Sequence, residues 1–308
     1  MIKEIETAFL STKKVYNQGK PALDVSFSLA RLCLDILSRT NSLAPYGKYA
    51  GTLDYSASQI QGRVSRPYRP DLFISLPADF DAEFDAFVTA LKERTPVNSN
   101  LVTRVIYTSV MSVSMAYDIY KPDSRKTPGT YFEILIASAC ALAFPDYALT
   151  KHIKIEGLPV VDAPVVDALV DVVDGDDDAS EFSGDSVSTD LVITNPKTGR
   201  GAVIPLKITT RERIVQPFAH QRILDSAYPG RYASFIACIS ETQMDKKGHT
   251  VKQICVPGTV ALFQKHLARV EALYYCDVPR RYSAPDFVKV IPVRPFDTFF
   301  DDIAKHLG

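Results

Sequence analysis

The segment 189–222 constrains the fold more than any other part of the sequence. Two runs of β-branched and apolar residues, LVIT and GAVIPLKI, flank the turn-forming sequence NPKTGRG. This pattern is typical of two antiparallel strands joined by a short turn. Apolar residues at helical spacing follow at once. The segment therefore predicts a strand pair that runs directly into a helix.

Two side chains at the ends of these strands form a candidate catalytic pair. Asp190 opens the first strand and Lys207 closes the second, so in an antiparallel pair both lie at the same end of the ladder. A carboxylate can hold Mg²⁺, which prefers oxygen ligands and keeps several waters. An adjacent ammonium can orient a water and stabilise charge on a phosphate. The pair predicts metal-dependent hydrolysis of phosphodiesters.

A charged triplet, Arg211, Glu212 and Arg213, follows Lys207 after three intervening residues. Arginine binds O6 and N7 of guanine, and glutamate accepts a hydrogen bond from N4 of cytosine. The alternative is a solvated charge run at a helix start, which is the commoner case for such a triplet alone. Its position behind the candidate catalytic pair favours readout of G and C in the major groove of double-stranded DNA.

The spacing of these residues resembles a known nuclease motif. Asp190, fourteen intervening residues and then Pro205-Leu206-Lys207 are similar to the PD-(D/E)XK core, except that Pro205 replaces the usual acidic residue. Restriction endonucleases that cut sequences built on CC and GG also lack this acid and carry Arg-Glu-Arg beyond the lysine. The triplet spacing here resembles the EcoRII and PspGI group, in which one base pair separates CC from GG.

The resemblance implies a restriction-endonuclease-like α/β fold, with a mixed central sheet flanked by helices. It implies a type II restriction endonuclease that cuts double-stranded DNA with Mg²⁺. It also implies a homodimer, or a tetramer of paired dimers, because two reading heads related by a dyad match a palindromic site. The triplet lacks the extra residue of contiguous-CCGG cutters, so we expect a CCNGG-like site whose central pair is flipped out of the helix.

The resemblance places two more metal ligands. Glu133 is the only charged residue in the apolar helix pattern TPGTYFEILIASACALAF, at the position of a glutamate that faces the metal. The alternative is a half-exposed glutamate that complements the helix dipole. The helix after the triplet usually supplies a second glutamate. Here the EcoRII-like spacing leads to His220, and the neighbouring Gln221 carries the oxygen that Mg²⁺ prefers, so both stay candidates.

The charge distribution allows DNA binding although the formal net charge is −1. Nine of the 36 acidic residues lie between positions 162 and 185, where there is no Lys or Arg. The remaining 27 acidic residues stand against 35 basic ones. We therefore expect a basic face on the rest of the molecule and an acidic surface excursion at 162–186.

We expect an N-terminal helical region, 1–125, that carries arms for dimerisation or DNA and is integrated with the core, and a nuclease core, 126–308. Residues 46–80 are rich in Tyr, Gly, Ser and Pro and contain the basic aromatic run GRVSRPYRPDLF, which fits a solvated loop, a DNA-backbone arm or a dimer contact. In the nuclease core, strands are predicted at 147–159, 233–240 and 287–293, and helices at 259–274 and the C-terminus. The five cysteines lack metal spacing, their odd number argues against a disulfide framework, and no apolar run reaches membrane-spanning length, which indicates a protein of a reducing cytoplasm with no membrane contact. The resemblance to restriction endonucleases implies that the cytoplasm is a bacterial one.

Two other functions fit the same residues. A repair or recombination nuclease with this core would cut by DNA structure instead of sequence. A DNA-binding protein that has lost its active site would explain Pro205 and the missing helix glutamate.

Overall fold

In the computed structural model of this chain the described residues are 1–40, 42–49, 53–93, 100–124, 126–155, 186–245 and 250–308. The acidic excursion predicted at 162–186 lies outside them, apart from Ser186. None of the helices within these ranges is long and apolar enough to cross a membrane.

The N-terminal region combines four helices with a small sheet. Its elements are α1 (Ile2–Asn17), α2 (Leu23–Thr40), β1 (Ser42–Tyr49), β2 (Leu53–Ile60), β3 (Arg63–Val64), α3 (Pro77–Glu93) and α4 (Leu101–Tyr120). The three strands form an antiparallel sheet in the order β1-β2-β3.

This sheet corrects the prediction that 46–80 is a loop. Gln61 and Gly62 both have positive φ, 48° and 77°, and form the two-residue connection between β2 and β3. A tight hairpin with a two-residue turn commonly requires positive φ at both residues of the turn. On β2, Tyr55 and Ala57 are buried and pack with Val251. The sheet is thus stabilised by contacts with residues far away in the sequence, which local composition does not reveal.

The described residues from 126 onward form the central sheet and the helices that pack on it. The elements are α5 (Thr127–Ala143), β4 (Ala148–Lys154), β5 (Ser186–Thr194), β6 (Gly201–Ile204), β7 (Leu206–Lys207), α6 (Val215–Ala227), β8 (Tyr232–Cys238), β9 (Thr242–Asp245), β10 (Thr250–Gln253), α7 (Pro257–His266), β11 (Ala272–Tyr275), α8 (Pro285–Val288), β12 (Val293–Pro295) and α9 (Phe299–Leu307).

Among the described residues, the central sheet has seven strands: six in the order β12-β11-β8-β6-β5-β4, and β7, which also pairs with β8. The β4–β5 and β5–β6 pairs are antiparallel, whereas β6–β8, β7–β8, β8–β11 and β11–β12 are parallel. Helices α2, α4, α5 and α9 cover one face in a large apolar cluster, and α6 and α7 cover the other. The predicted mixed sheet flanked by helices is confirmed.

Two predictions within this part were wrong. The helix predicted at 259–274 ends at His266, and 272–275 is strand β11, because ALYY is buried throughout and lacks the alternation of a half-exposed strand. The edge strand predicted at 287–293 begins only at Val293. Pro285 instead starts the short helix α8, a position that its fixed φ favours.

The hydrophobic core crosses the predicted boundary at residue 125. Buried side chains of α2 and α4 pack in the same cluster as those of α5, β5, β6 and β8. Since α4 and α5 are buried on most of their surface, the two regions form one packed unit around the sheet.

Candidate active site

Asp190 and Lys207 lie in contact. The Lys207 Nζ is 2.8 Å from Asp190 Oδ2, and the same oxygen accepts a hydrogen bond from the Leu206 amide at 2.7 Å. Pro205 has no N–H to continue the ladder with β5. The chain therefore leaves β5 after Ile204, and β7 pairs with β8 instead. Asp190 lies inside β5, which begins at Ser186, instead of opening the strand.

A β-bulge surrounds Asp190. Thr150 pairs with Val192 and His152 with Ser188, so three residues of β5 face the single residue Lys151 of β4. Bulges of this kind bend a strand and re-aim its side chains, and they are frequent beside active sites. The bulge turns the middle of β5 toward the cleft that Lys207 enters.

Glu133, on α5, faces the same cleft. Its Oε2 lies 3.6 Å from the Nζ of Lys151. Burial and the negative charge of Asp190 raise the pKa of Glu133, and the ammonium groups of Lys151 and Lys207 oppose this shift. The carboxyl group therefore belongs electrostatically to the Asp190–Lys207 pair and is more than a dipole-complementing surface charge.

The cleft has a volume of about 320 Å³. Its lining is polar and comes from α5, β4, β5, the β6–β7 connection and α6: Glu133, Lys151, Ser188, Thr189, Asp190, Pro205, Lys207, Gln216, Pro217 and His220. A larger, more apolar cavity of about 790 Å³ shares Lys151 but contains neither Asp190 nor Lys207. The candidate catalytic side chains Asp190, Lys207 and Glu133 therefore meet in the smaller cleft.

The two candidate ligands on α6 point in different directions. His220 lines the cleft, and burial together with the charge of Lys207 lowers its pKa. Gln221 is only 2% exposed. Its Nε2 donates to Asp225 Oδ1 and to the Tyr232 carbonyl, at 2.8 and 2.9 Å.

The third contact of Gln221 is also with β8, because its Oε1 accepts a hydrogen bond from Ser234 Oγ at 2.7 Å. These three hydrogen bonds hold the Gln221 side chain between α6 and β8, and Gln221 is not among the residues that line the cleft. The structure brings His220 to Asp190 and Lys207 and does not bring Gln221 there.

The charged triplet lies on the chain that leaves Lys207. Residues Arg211–Ile214 form a 3₁₀ helix, and α6 begins at Val215. Arg211 and Arg213 are exposed, and neither guanidinium has a hydrogen-bond or ion-pair partner among the described residues. Glu212 belongs to the same turn, and its side chain lies outside the described part of the structure. Ile214 is fully buried and anchors the turn.

Comparison with known proteins identifies the family. The sequence matches no family model, and no curated protein matches it. Among solved structures, the type IIP restriction endonuclease Kpn2I is 38% identical, over 98% of this chain and 97% of its own, with a TM-score of 0.83. The chain belongs to the type IIP restriction endonuclease family. A complex of the restriction endonuclease PspGI with substrate DNA matches over 74% of this chain and 92% of its own, with 14% identity and a TM-score of 0.41.

The type IIP restriction endonuclease assignment confirms the enzyme class that the sequence predicts, a site-specific deoxyribonuclease. It decides against the two alternatives, a structure-specific repair nuclease and an inactive DNA-binding protein. The sequence did not reveal Lys151 or Gln216 as cleft residues of this restriction endonuclease. Lys151 lies in the alternating strand pattern TKHIKI, and in the structure it lies opposite the bulge of β5 and lines the cleft.

Proposed function

We propose that this restriction endonuclease hydrolyses double-stranded DNA with Mg²⁺, at a palindromic site with a CC/GG core. The observation that carries the proposal is the contact of Asp190 with Lys207 at 2.8 Å, in a cleft shared with Glu133. The exposed Arg211 and Arg213 support the CC/GG core, because arginine is the commonest specific reader of guanine.

The donors of the cleft fit Mg²⁺. No group of three or more His, Cys, Asp or Glu side chains in the described ranges is arranged to hold a metal ion. Mg²⁺ does not need such a group, because it is usually bound by one or two carboxylates while waters and substrate phosphates complete its shell. Asp190 and Glu133 supply two carboxylates. Burial, and after it the negative charge of Asp190, raises the pKa of Glu133, and a bound Mg²⁺ would offset the negative charge of both groups.

When bound, Mg²⁺ polarises the scissile phosphate and lowers the pKa of a water ligand. The protein's own groups prepare the reaction. Asp190 orients the Lys207 ammonium, which can then hold a water in line with the phosphate and stabilise the charge that develops on it. Lys151 brings a second ammonium to the cleft, and it offsets part of the charge of Glu133.

His220, and not Gln221, is expected to influence metal use. Loss of outer-shell partners alone lowers metal affinity 10–100-fold in other proteins. Replacement of His220 by alanine should therefore raise the Mg²⁺ concentration for half-maximal rate by about tenfold. Gln221→Ala should leave that concentration unchanged. It should lower the free energy of unfolding by about 1–3 kcal/mol, because Ser234 and the Tyr232 carbonyl lose their partner.

Mg²⁺ titrations of cleavage and thermal melts of the two variants check this assignment. The adjacent positions serve as controls for each other. A Mg²⁺ requirement that shifts for Gln221→Ala and stays constant for His220→Ala would return the ligand role to Gln221.

The recognition site is proposed to be interrupted, CCNGG-like, and read by a homodimer that can pair into a tetramer. This rests on the triplet spacing and on the match between a two-fold protein and a palindrome. The two triplets of the proposed dimer can reach both half-sites if the central base pair leaves the base stack of the DNA. Extrusion costs a few kcal/mol, which two triplets can supply at about 1–3 kcal/mol per bidentate contact.

Fluorescence of 2-aminopurine at the central position tests the extrusion. The probe is quenched by stacking, so it should brighten when the enzyme binds a CCNGG duplex without Mg²⁺. The same probe one position outside the site should stay dark. A quenched central probe in a tight specific complex would contradict base flipping, and cleavage of contiguous CCGG would contradict the interruption.

A plasmid digest tests the proposed function as a whole. With Mg²⁺ the enzyme should give discrete fragments, and sequencing of their ends should place CC and GG around every cut. A smear or fragments without this core would refute the recognition site. Cleavage that continues undiminished in EDTA would refute the metal requirement.

A cytoplasmic location is part of the proposal, and it suits the five buried cysteines, which are all free thiols.

A further inference from the structure

Glu241 is a buried carboxylate that the chemistry of the cleft does not use. The parallel strands β7, β8 and β11 end at the same edge of the sheet. Beyond β7 the pairing continues, because the amides of Ile239 and Ser240 donate to the carbonyls of Lys207 and Ile208, each at 3.2 Å. The chain that leaves Lys207 therefore stays aligned with the chain that leaves β8, and Glu241 is the next residue on that chain.

The Glu241 carboxylate binds the backbone directly before the triplet. Its Oε1 accepts hydrogen bonds from the Thr210 amide at 2.7 Å, from the Thr210 hydroxyl and from the Tyr275 hydroxyl at 3.2 Å. Glu241 and Thr210 are each 1% exposed. A buried carboxylate is unfavourable unless donors surround it. Burial raises the pKa of Glu241, and the Thr210 donors oppose that shift.

The backbone that Glu241 holds is in an unusual conformation. Arg211 has φ of 45°, in the left-handed region that few residues other than glycine adopt. Such conformations persist where the surrounding structure fixes them. Here Glu241 fixes the residue before Arg211, and Ile214 fixes the far end of the turn inside the apolar cluster with Phe218 and Tyr275.

We propose that Glu241 is a positioning residue for sequence recognition. Without contacting DNA, it holds Thr210 and Arg211 in the backbone conformation from which the triplet reads C·G pairs. The inference rests on the proposed function of the triplet. Bidentate readout requires both nitrogens of a guanidinium to meet two acceptors of one base, so a turn free to relax at Arg211 would lose selectivity before it lost affinity for phosphate.

The test compares discrimination in four proteins: wild type, Glu241→Ala, Glu241→Gln and Asp277→Ala. Discrimination is the ratio of kcat/KM for the cognate duplex to kcat/KM for duplexes with one substitution in CC or GG. Glu241→Ala should lower this ratio at least tenfold. Most of the change should come from a higher KM for the cognate duplex, with a smaller change in kcat. Glu241→Gln keeps the oxygen that accepts from Thr210. Oε2 of Glu241 has no partner among the described residues, so the amide displaces no contact and the ratio should recover to within threefold.

Asp277 provides the matched control. It is also a buried carboxylate at the end of a parallel strand, and it accepts hydrogen bonds from Tyr55 and Arg69 at 3.0 and 3.1 Å. Asp277→Ala should lower the Tm as Glu241→Ala does but leave discrimination within twofold of wild type. An equal loss of discrimination in both variants would show a general effect of stability and overturn the proposal.

Thr210→Val keeps the test decisive if Glu241→Ala does not fold. It removes one donor to Glu241 and keeps the backbone amide, and discrimination should fall at least threefold. If Glu241→Ala folds and discriminates as well as wild type, the proposal is overturned. If Glu241→Ala does not fold, wild-type discrimination by Thr210→Val overturns it instead. Arg211→Ala and Arg213→Ala separate this failure from that of the proposed function. If they also leave discrimination unchanged, the triplet itself is not the reading element.

Discussion

Alanine at Asp190 or at Lys207 is expected to lower the cleavage rate by about 10³-fold or more, roughly 4 kcal/mol of activation free energy. Asp190→Ala removes the proposed metal ligand and the partner of Lys207, and Lys207→Ala removes the ammonium that we propose faces the phosphate. Specific binding should remain, because Arg211 and Arg213 are unchanged. Removal of the negative charge of Asp190 from a site that receives a phosphate can even tighten binding.

Single-turnover cleavage and gel-shift titration of the same duplex measure these two quantities. Lys154→Ala is the control, since Lys154 is an exposed lysine of β4 outside the cleft lining. It should cleave at nearly the wild-type rate. Cleavage within tenfold of wild type by either cleft variant would place the active site elsewhere.

Replacement of Arg213 or Arg211 by alanine is expected to give the second largest effect. A bidentate arginine–guanine pair contributes about 1–3 kcal/mol of discrimination, and the proposed homodimer would lose two such pairs at once. Specific affinity should therefore fall by about 2–6 kcal/mol, while affinity for unrelated DNA changes little. The exposed position of both guanidinium groups, which have no partner in the described part of the protein, keeps the folded state stable in these variants.

Competition between cognate and unrelated duplexes, at one fixed salt concentration, gives the specificity ratio directly. Arg200→Ala is the matched control. It removes the same charge from the β5–β6 turn, at the end of β6 opposite to Lys207. If Arg200→Ala and the triplet variants lower affinity for both duplexes equally, the triplet contacts phosphate and does not read bases.

Local sequence was sufficient to predict that Asp190 and Lys207 lie close together and that the triplet follows them. The strands β5 and β6 are joined by a short turn, and Lys207 comes three residues after the end of β6, so the separation of the two side chains in sequence already indicates their proximity. Glu133 was found for a different reason, because a lone charge in an apolar helix needs a polar partner. In each case one local pattern carried the information.

Long-range contacts decided what the sequence did not show. Lys151 lines the cleft opposite the bulge of β5, and Glu241 meets Thr210 only because β8 and β7 lie side by side. From the sequence, His220 and Gln221 could be compared as metal ligands only by the chemistry of their side chains. The structure adds which of the two side chains lines the cleft. Gln221 has the better oxygen, but its side chain is committed to β8.

The break at Pro205 determines on which strands the two members of the candidate catalytic pair lie. Asp190 belongs to the antiparallel half of the central sheet, and Lys207 belongs to the parallel half through its pairing with β8. Strand β6 joins the two halves, because it pairs with β5 on one side and with β8 on the other. The Asp190–Lys207 salt bridge at 2.8 Å is therefore a side-chain contact between two strands, β5 and β7, that share no backbone ladder. The same proline that replaces an acidic residue of the motif thus leaves the position of Lys207 to its pairing with β8 and to its contact with Asp190.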